Sequence, residues 1–182
     1  MFKQGIVEKF KINDKKVVFR YPIAKENIAD LLALINSLIE ERAMISLQKK
    51  VTPKEEKAWL INNLKEIKKK EKVLFLVEVD GKIMGNAEVK TGKDATKHVG
   101  NLGILLRKEI RGQGIGKKLL KTIIREAEKA LKVKIITLSV FSTNKVAKGV
   151  YRKVGFKEVG KIKKGINHYG KFLDDVVMAK YL

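Results

Sequence analysis

Cysteine is absent from these 182 residues, and with it go disulfides, thiolate nucleophiles and cysteine-based zinc sites. Histidine is almost absent as well. His98 and His168 are the only 2, and with no short shared spacing they do not make a ligand set, so no metal is expected. Proline occurs only as Pro22, which ends an apolar run, and Pro53, which opens a helical one. Acidic residues number 20 against 41 basic ones, leaving a formal charge of +21. Such a balance attracts phosphate backbones. Arginine, however, supplies only 6 of those 41 cations, and lysine is the poorer residue for bidentate phosphate or base-edge recognition. The lysines are spread through nearly every segment rather than gathered on one element among aromatics, so specific nucleic-acid binding is disfavoured. An acidic partner or substrate stays open. No apolar run reaches the length of a signal peptide or a membrane span, and a cytoplasmic protein without membrane contact is the expectation.

What is present is patterned. Hydrophobic residues make up 45% of the chain, enough for a folded protein, and its length suits one domain, residues 1–182, with one core. Ile6–Phe10 and Val17–Tyr21 predict a hairpin turning at Asn13-Asp14. Ile28, Leu31, Leu32, Ile35 and Leu38 form a helical stripe within residues 25–38. Thr52-Pro53-Lys54-Glu55 is a helix start, with a hydroxyl cap, proline at the first helical position and glutamate three residues after the cap. That helix should run to about Lys70 with Trp59, Leu60, Leu64 and Ile67 inward. The chain divides into an N-terminal hairpin (1–21), two helices with an unpatterned loop at Ile39–Val51 (22–72), and a core (73–182). In the core, Val73–Val79 and Ile83–Val89 predict a hairpin across Asp80-Gly81. Thr91–Lys97 reads as a loose connection. Val99–Leu106 reads as a strand and Lys118–Leu131 as a helix. Ile135–Phe141, Val146–Val154, Phe156–Lys163 and Phe172–Tyr181 follow as strand, helix, strand, strand.

Between the strand ending at Leu106 and the helical pattern lies Arg111-Gly112-Gln113-Gly114-Ile115-Gly116-Lys117. Glycines at alternate positions let the backbone pass close to a ligand. A turn opening a helix aims free N–H groups outward at the positive end of the dipole. Phosphate binds such a place, and Arg111 and Lys117 add charge. A Walker A loop would need glycine at Arg111 and a hydroxyl residue at Lys118. A dinucleotide fingerprint through Gly112 and Gly114 would need glycine at Lys117. Neither fits.

Arg111-x-x-Gly114-x-Gly116 does match the [RQ]xxGx[GA] turn of the GNAT superfamily of acetyltransferases. Downstream, Asn144-x-x-Ala147-x-x-x-Tyr151 followed by Gly155-Phe156 resembles that family's next element. The resemblance runs from about Leu74 to the C-terminus. It implies an α/β fold with a mixed, mostly antiparallel sheet, splayed at the cofactor cleft and covered by helices on both faces. It implies an N-acetyltransferase that moves acetyl from acetyl-CoA directly to a primary amine: a protein N-terminus or lysine, or a small amine metabolite. Residues 111–117 (Arg111, Gly112, Gln113, Gly114, Ile115, Gly116, Lys117) would hold the diphosphate. The strand residues Ile104, Leu105 and Leu106 would pair with the pantetheine arm, and the Leu106 N–H would polarise the thioester carbonyl. Asn144 would hydrogen-bond the arm, Ala147 would leave room for it, and Tyr151 would protonate the departing thiolate.

The base that takes the amine proton is the least legible role. Glu88 is the catalytic candidate carried forward, with His98, Glu40, Glu41 or a water as rivals, while His168 with Tyr169-Gly170 is expected to cap the last hairpin. The Ile39–Val51 loop and the late hairpin near Lys164–Phe172 should shape the acceptor site. Two further expectations stand beside these. The resemblance suggests a homodimer paired through sheet edges, and the competing reading is a non-catalytic module on the same fold that senses CoA or binds nucleic acid.

Overall fold

Two apolar faces on one strand set the architecture. In a computed structural model that describes residues 5–182, β3 (Lys72–Val79) is buried at nearly every position because helices cover both of its sides. Val73, Phe75 and Val77 belong to the cluster formed with Leu119, Leu120 and Ile123 of α3 (Ile115–Leu131). Leu76 belongs to the opposite cluster, with Leu31, Leu34 and Leu38 of α1 (Ile28–Glu40) and Leu60 of α2 (Pro53–Lys68). Burying each such side chain stabilises the fold by about 2 kcal/mol. The expected capping box at Thr52 and Glu55 is formed, and it fixes where α2 starts.

The remaining elements are β1 (Ile6–Ile12), β2 (Lys15–Arg20), β4 (Lys82–Thr91), β5 (Val99–Leu106), β6 (Ile135–Phe141), α4 (Lys145–Lys153), β7 (Lys157–His168) and β8 (Lys171–Tyr181). The strands join one sheet in the order β1-β2-β3-β4-β5-β6-β8-β7. Every pairing is antiparallel except β5 with β6. That exception positions the site. β5 pairs with β4 from Gly100 to Leu106, but with β6 only from Val99 to Asn101. Beyond Asn101 and Thr137 the two strands part, as the expected splay requires.

Several boundaries differ from the sequence reading, and three of them bear on the site or the last hairpin. Helix α3 begins at Ile115 rather than Lys118, because Gly114 in the left-handed region (φ 82°) supplies its N-cap. Strand β4 continues through Lys90 to Thr91. Strand β7 runs on to His168, so the last hairpin turns tightly at Tyr169-Gly170. Its first nine residues are exposed, and with no buried face to enforce alternation the strand leaves no period-two signal.

Candidate active site

The site begins with the register of β5. Arg107 N donates to Met84 O across the Gly85–Leu106 pair, which makes that pair the type whose own N–H and C=O groups point away from the partner strand. Alternation then turns Leu105 and Gly103 toward β4, and turns the backbone groups of Leu106 and Ile104 toward the edge that β6 has left. One carbonyl there is taken, since Leu106 O accepts from Arg111 Nε at 2.8 Å. The Leu106 N–H and both backbone groups of Ile104 face the gap. Gly85 permits the close approach of β4, because a Cβ there would lie 2.5 Å from Leu105 O. The side chains of Ile104 and Leu106 pack on the α3 side of the sheet and that of Leu105 on the α1–α2 side. All three are only half-buried.

Just beyond stands the glycine turn. Gly112 and Gly114 hold φ of 73° and 82°, and a Cβ added to either would meet nothing within 4 Å. Their need for glycine is therefore conformational, and the space above them is open. No side chain caps α3 and no acid sits in its first turn, so its leading N–H groups keep their full attraction for an anion. Ile115 offers only its backbone there, its side chain being buried in the core. Gly116 seats the helix against the strand, with Leu106 Cδ1 3.1 Å from a built Cβ. Lys117 is exposed and makes no ion pair among the described residues. Arg111 differs from expectation: its guanidinium turns back to Leu106 O and to Glu41 at the end of α1, so the side chain braces the turn. Gln113 likewise faces inward, its amide donating to Glu109 O at 2.8 Å.

On the other wall, Asn144 caps α4 by accepting from Ala147 N at 3.0 Å. Tyr151, two turns on, is 8% exposed, packs edge-on to Phe156, and its hydroxyl has no hydrogen-bond partner among the described residues. Burial pushes that hydroxyl up to about 12, so it stays protonated wherever an enzyme works.

The α1–α2 loop and the last hairpin are joined by hydrogen bonds. His168 Nε2 lies 3.1 Å from Ala43 O, Tyr169 Oη donates to Ile39 O at 3.3 Å, and Gln48 bridges Asn167 O and Tyr169 N. Phe141, at the open end of β6, stacks edge-on with His168 at 5.2 Å. His168 is therefore a strut between the two segments.

The base candidates are mostly committed elsewhere. Glu40 is exposed and paired with Lys50 at 2.7 Å, Glu41 holds Arg111, and His98 is exposed before β5 at its paired end. Glu88 accepts from the buried Lys72 Nζ at 2.9 Å, and the same ammonium reaches Asn63 at 2.6 Å and Glu66 at 3.0 Å. Glu88 also borders a groove of about 330 Å³ beside Asn101 and Thr137, below the splay. On this geometry Glu88→Gln is expected to lower stability by about 1 kcal/mol through loss of a half-exposed, charge-assisted bond, with kcat within about threefold of wild type. Thermal melts and initial rates check it. A hundred-fold loss of kcat at unchanged Tm would return Glu88 to the chemistry.

Residues 36–156 match the Acetyltransferase (GNAT) family. The chain belongs to it. Within GNAT space it is 29% identical over 103 residues to the L-amino acid N-acetyltransferase AaaT of Escherichia coli (strain K12), covering 56% of this chain and 64% of that protein's length. Among solved structures, a GNAT acetyltransferase from Streptococcus pneumoniae superposes with a TM-score of 0.81 at 26% identity, over 91% of this chain and 99% of that one. The ribosomal-protein-alanine N-acetyltransferase of Brucella melitensis does so at 0.80 and 25%, over 90% and 99%. The resemblance drawn from the glycine turn and the Asn144–Tyr151 segment thus holds at the level of family and fold. Among the described residues, no helix is long and apolar enough to cross a membrane, and no group of three His, Asp or Glu could hold a metal.

Proposed function

We propose that this GNAT chain is a single-domain N-acetyltransferase that moves acetyl from acetyl-CoA straight to a primary amine. The observation that carries the reading is the one-sided strand end at Gly103–Leu106, set against the uncapped start of α3. Main-chain N–H groups between Gly112 and Lys117 bind the diphosphate, Ile104 pairs with the pantetheine amides, and the Leu106 N–H donates to the thioester carbonyl. A preorganised donor of that kind lowers the barrier by about 3 kcal/mol. The amine arrives from the α1–α2 side, its nitrogen attacks the carbonyl carbon, and the C–S bond breaks as Tyr151 Oη passes a proton to the sulfur. An ammonium substrate sheds two protons: one restores the Tyr151 hydroxyl after it has protonated the sulfur, and the other is released to solvent. With no cysteine in the chain, a thiol acyl-enzyme is unavailable, which favours direct transfer.

The acceptor class is an α-amino group, of a free amino acid or a protein N-terminus. The names of the E. coli and Brucella relatives support it. So does the acceptor side itself, closed by the docked hairpin at His168–Tyr169. A panel of amino acids, peptide N-termini, lysine side chains and polyamines, read by release of free CoA thiol, tests it. Amine-dependent thiol release is expected. Tight acetyl-CoA binding without release for any amine would leave the CoA-holding module instead.

A further inference from the structure

Three buried polar atoms have no hydrogen-bond partner among the described residues: Arg107 Nε, Gln113 Oε1 and Asp175 Oδ1. The first two flank the CoA site, just past β5 and in the glycine turn. Asp175, on β8, takes no part in the proposed reaction. Its neighbour Asp174 accepts from Lys164 N at 3.0 Å and pairs with Lys161 at 3.2 Å. Among the described residues no cation pairs with Asp175, in a chain that carries 41 of them. A carboxylate oxygen left bare inside a protein costs stability until a ligand completes it.

The strand registers fix its place. β5 and β6 run parallel, and their last pair is Asn101 with Thr137. Four residues on, about 13 Å further along each strand, Leu105 and Phe141 stand at matching heights on either side of the splay. Phe141 is directly opposite Asp175, and Ser142 N donates to Asp174 O. That makes Phe141 and Asp175 the closer type of antiparallel pair, with adjoining side chains. Val140 and Val176 belong to the cluster on the α3 side. Alternation therefore turns Phe141 and Asp175 to the α1–α2 side, where Leu105 also packs. β7 closes the outer flank, since its irregular stretch between Ile162 and Ile166 brings a Cβ built on Gly165 within 3.1 Å of Asp175 Cβ. The α1–α2 loop reaches the same end of the sheet, with Met44 Sδ 3.9 Å from Thr143 Oγ1. Asp175 as a whole is half-buried, as a group in a cleft wall is.

We infer that Asp175 is the acceptor-binding carboxylate of this site, holding the cationic amine on the β6–β8 wall of the cleft across from the Leu106 N–H. The inference rests on the transferase reading above and adds the residue that selects a cationic acceptor. It also accounts for the bare oxygen, because the ammonium supplies the partner that Oδ1 lacks. Phe141, buried beside it, keeps water from that flank and so strengthens the pairing.

The test is Asp175→Asn in the full chain, a nearly isosteric change, assayed with the best amine of the panel. The KM for the amine is expected to rise about ten- to a hundred-fold, the worth of a charge-assisted hydrogen bond. Titration of the same amine into the CoA-bound chain should show a matching loss of affinity. The KM for acetyl-CoA should stay within twofold and Tm should hold, since no partner in the free protein is orphaned. Asp174→Asn, which removes the same charge one residue away, should leave the amine KM within twofold. An amine KM within twofold of wild type in Asp175→Asn would overturn the inference. So would a fall in Tm with both KM values rising together, which marks a structural role. A rise of equal size in Asp174→Asn would also overturn it, by reducing the effect to net charge. If the wild-type chain acetylates no amine, the transferase reading fails first and takes this inference with it. If wild type is active and Asp175→Asn matches it, only the inference falls.

Discussion

Gly114→Glu is expected to abolish acetyl-CoA binding while the chain stays folded. Two effects act together. At φ 82° a non-glycine residue is strained, at a cost of about 1 kcal/mol. The larger effect is that a carboxylate at the N-cap of α3 would accept from the N–H groups of the first turn and place a negative charge where the diphosphate must sit. Gly114→Ala separates them. It carries the strain without the charge, and a Cβ meets nothing within 4 Å, so about a fivefold loss of affinity is expected. Titration calorimetry with CoA reads both variants, and circular dichroism confirms the fold. Retained affinity in Gly114→Glu would remove the diphosphate from this turn.

Tyr151→Phe is expected to lower kcat about a hundred-fold, the lower end of what a positioned general acid supplies, with the KM for acetyl-CoA within twofold. The hydroxyl has no partner among the described residues, so its loss orphans nothing in the free protein and the melt should barely move at pH 7. The pH dependence carries a further signature. Burial holds Tyr151 at about 12, against about 10 for a free phenol. The acid form therefore persists through pH 10, and kcat should show no falling limb there. The linkage has a definite sign. A raised folded pKa means that stability is fully present below about pH 10, where the unfolded tyrosine begins to ionise, and is lost as pH climbs toward 12. Tyr151→Phe should be free of that particular loss, so its Tm should exceed that of wild type increasingly above pH 10. Unchanged kcat would remove Tyr151 from the proton transfer and leave it a packing residue.

Much of this architecture was readable because its cues are local. The capping box at Thr52, the Asp80-Gly81 turn, the β5 span and the glycine turn each depend on residues a few positions apart. Such short-range preferences survive into the fold when packing agrees with them. The last hairpin was expected, but the run of β7 past Lys163 to His168 escaped, because a strand exposed on its first nine residues has no alternation to show.

By itself, the chain of residues determined the order of elements, the family, and the place of the glycine turn, because hydrophobic period, caps and glycine positions act over a few residues. Only the tertiary structure decided which charges are free to do chemistry. Arg111 is drawn off by Glu41, 70 positions away in the chain, and Glu88 is held by Lys72. Ion pairing and desolvation depend on distance through space, and the packing of α1 and α2 across the sheet sets those distances.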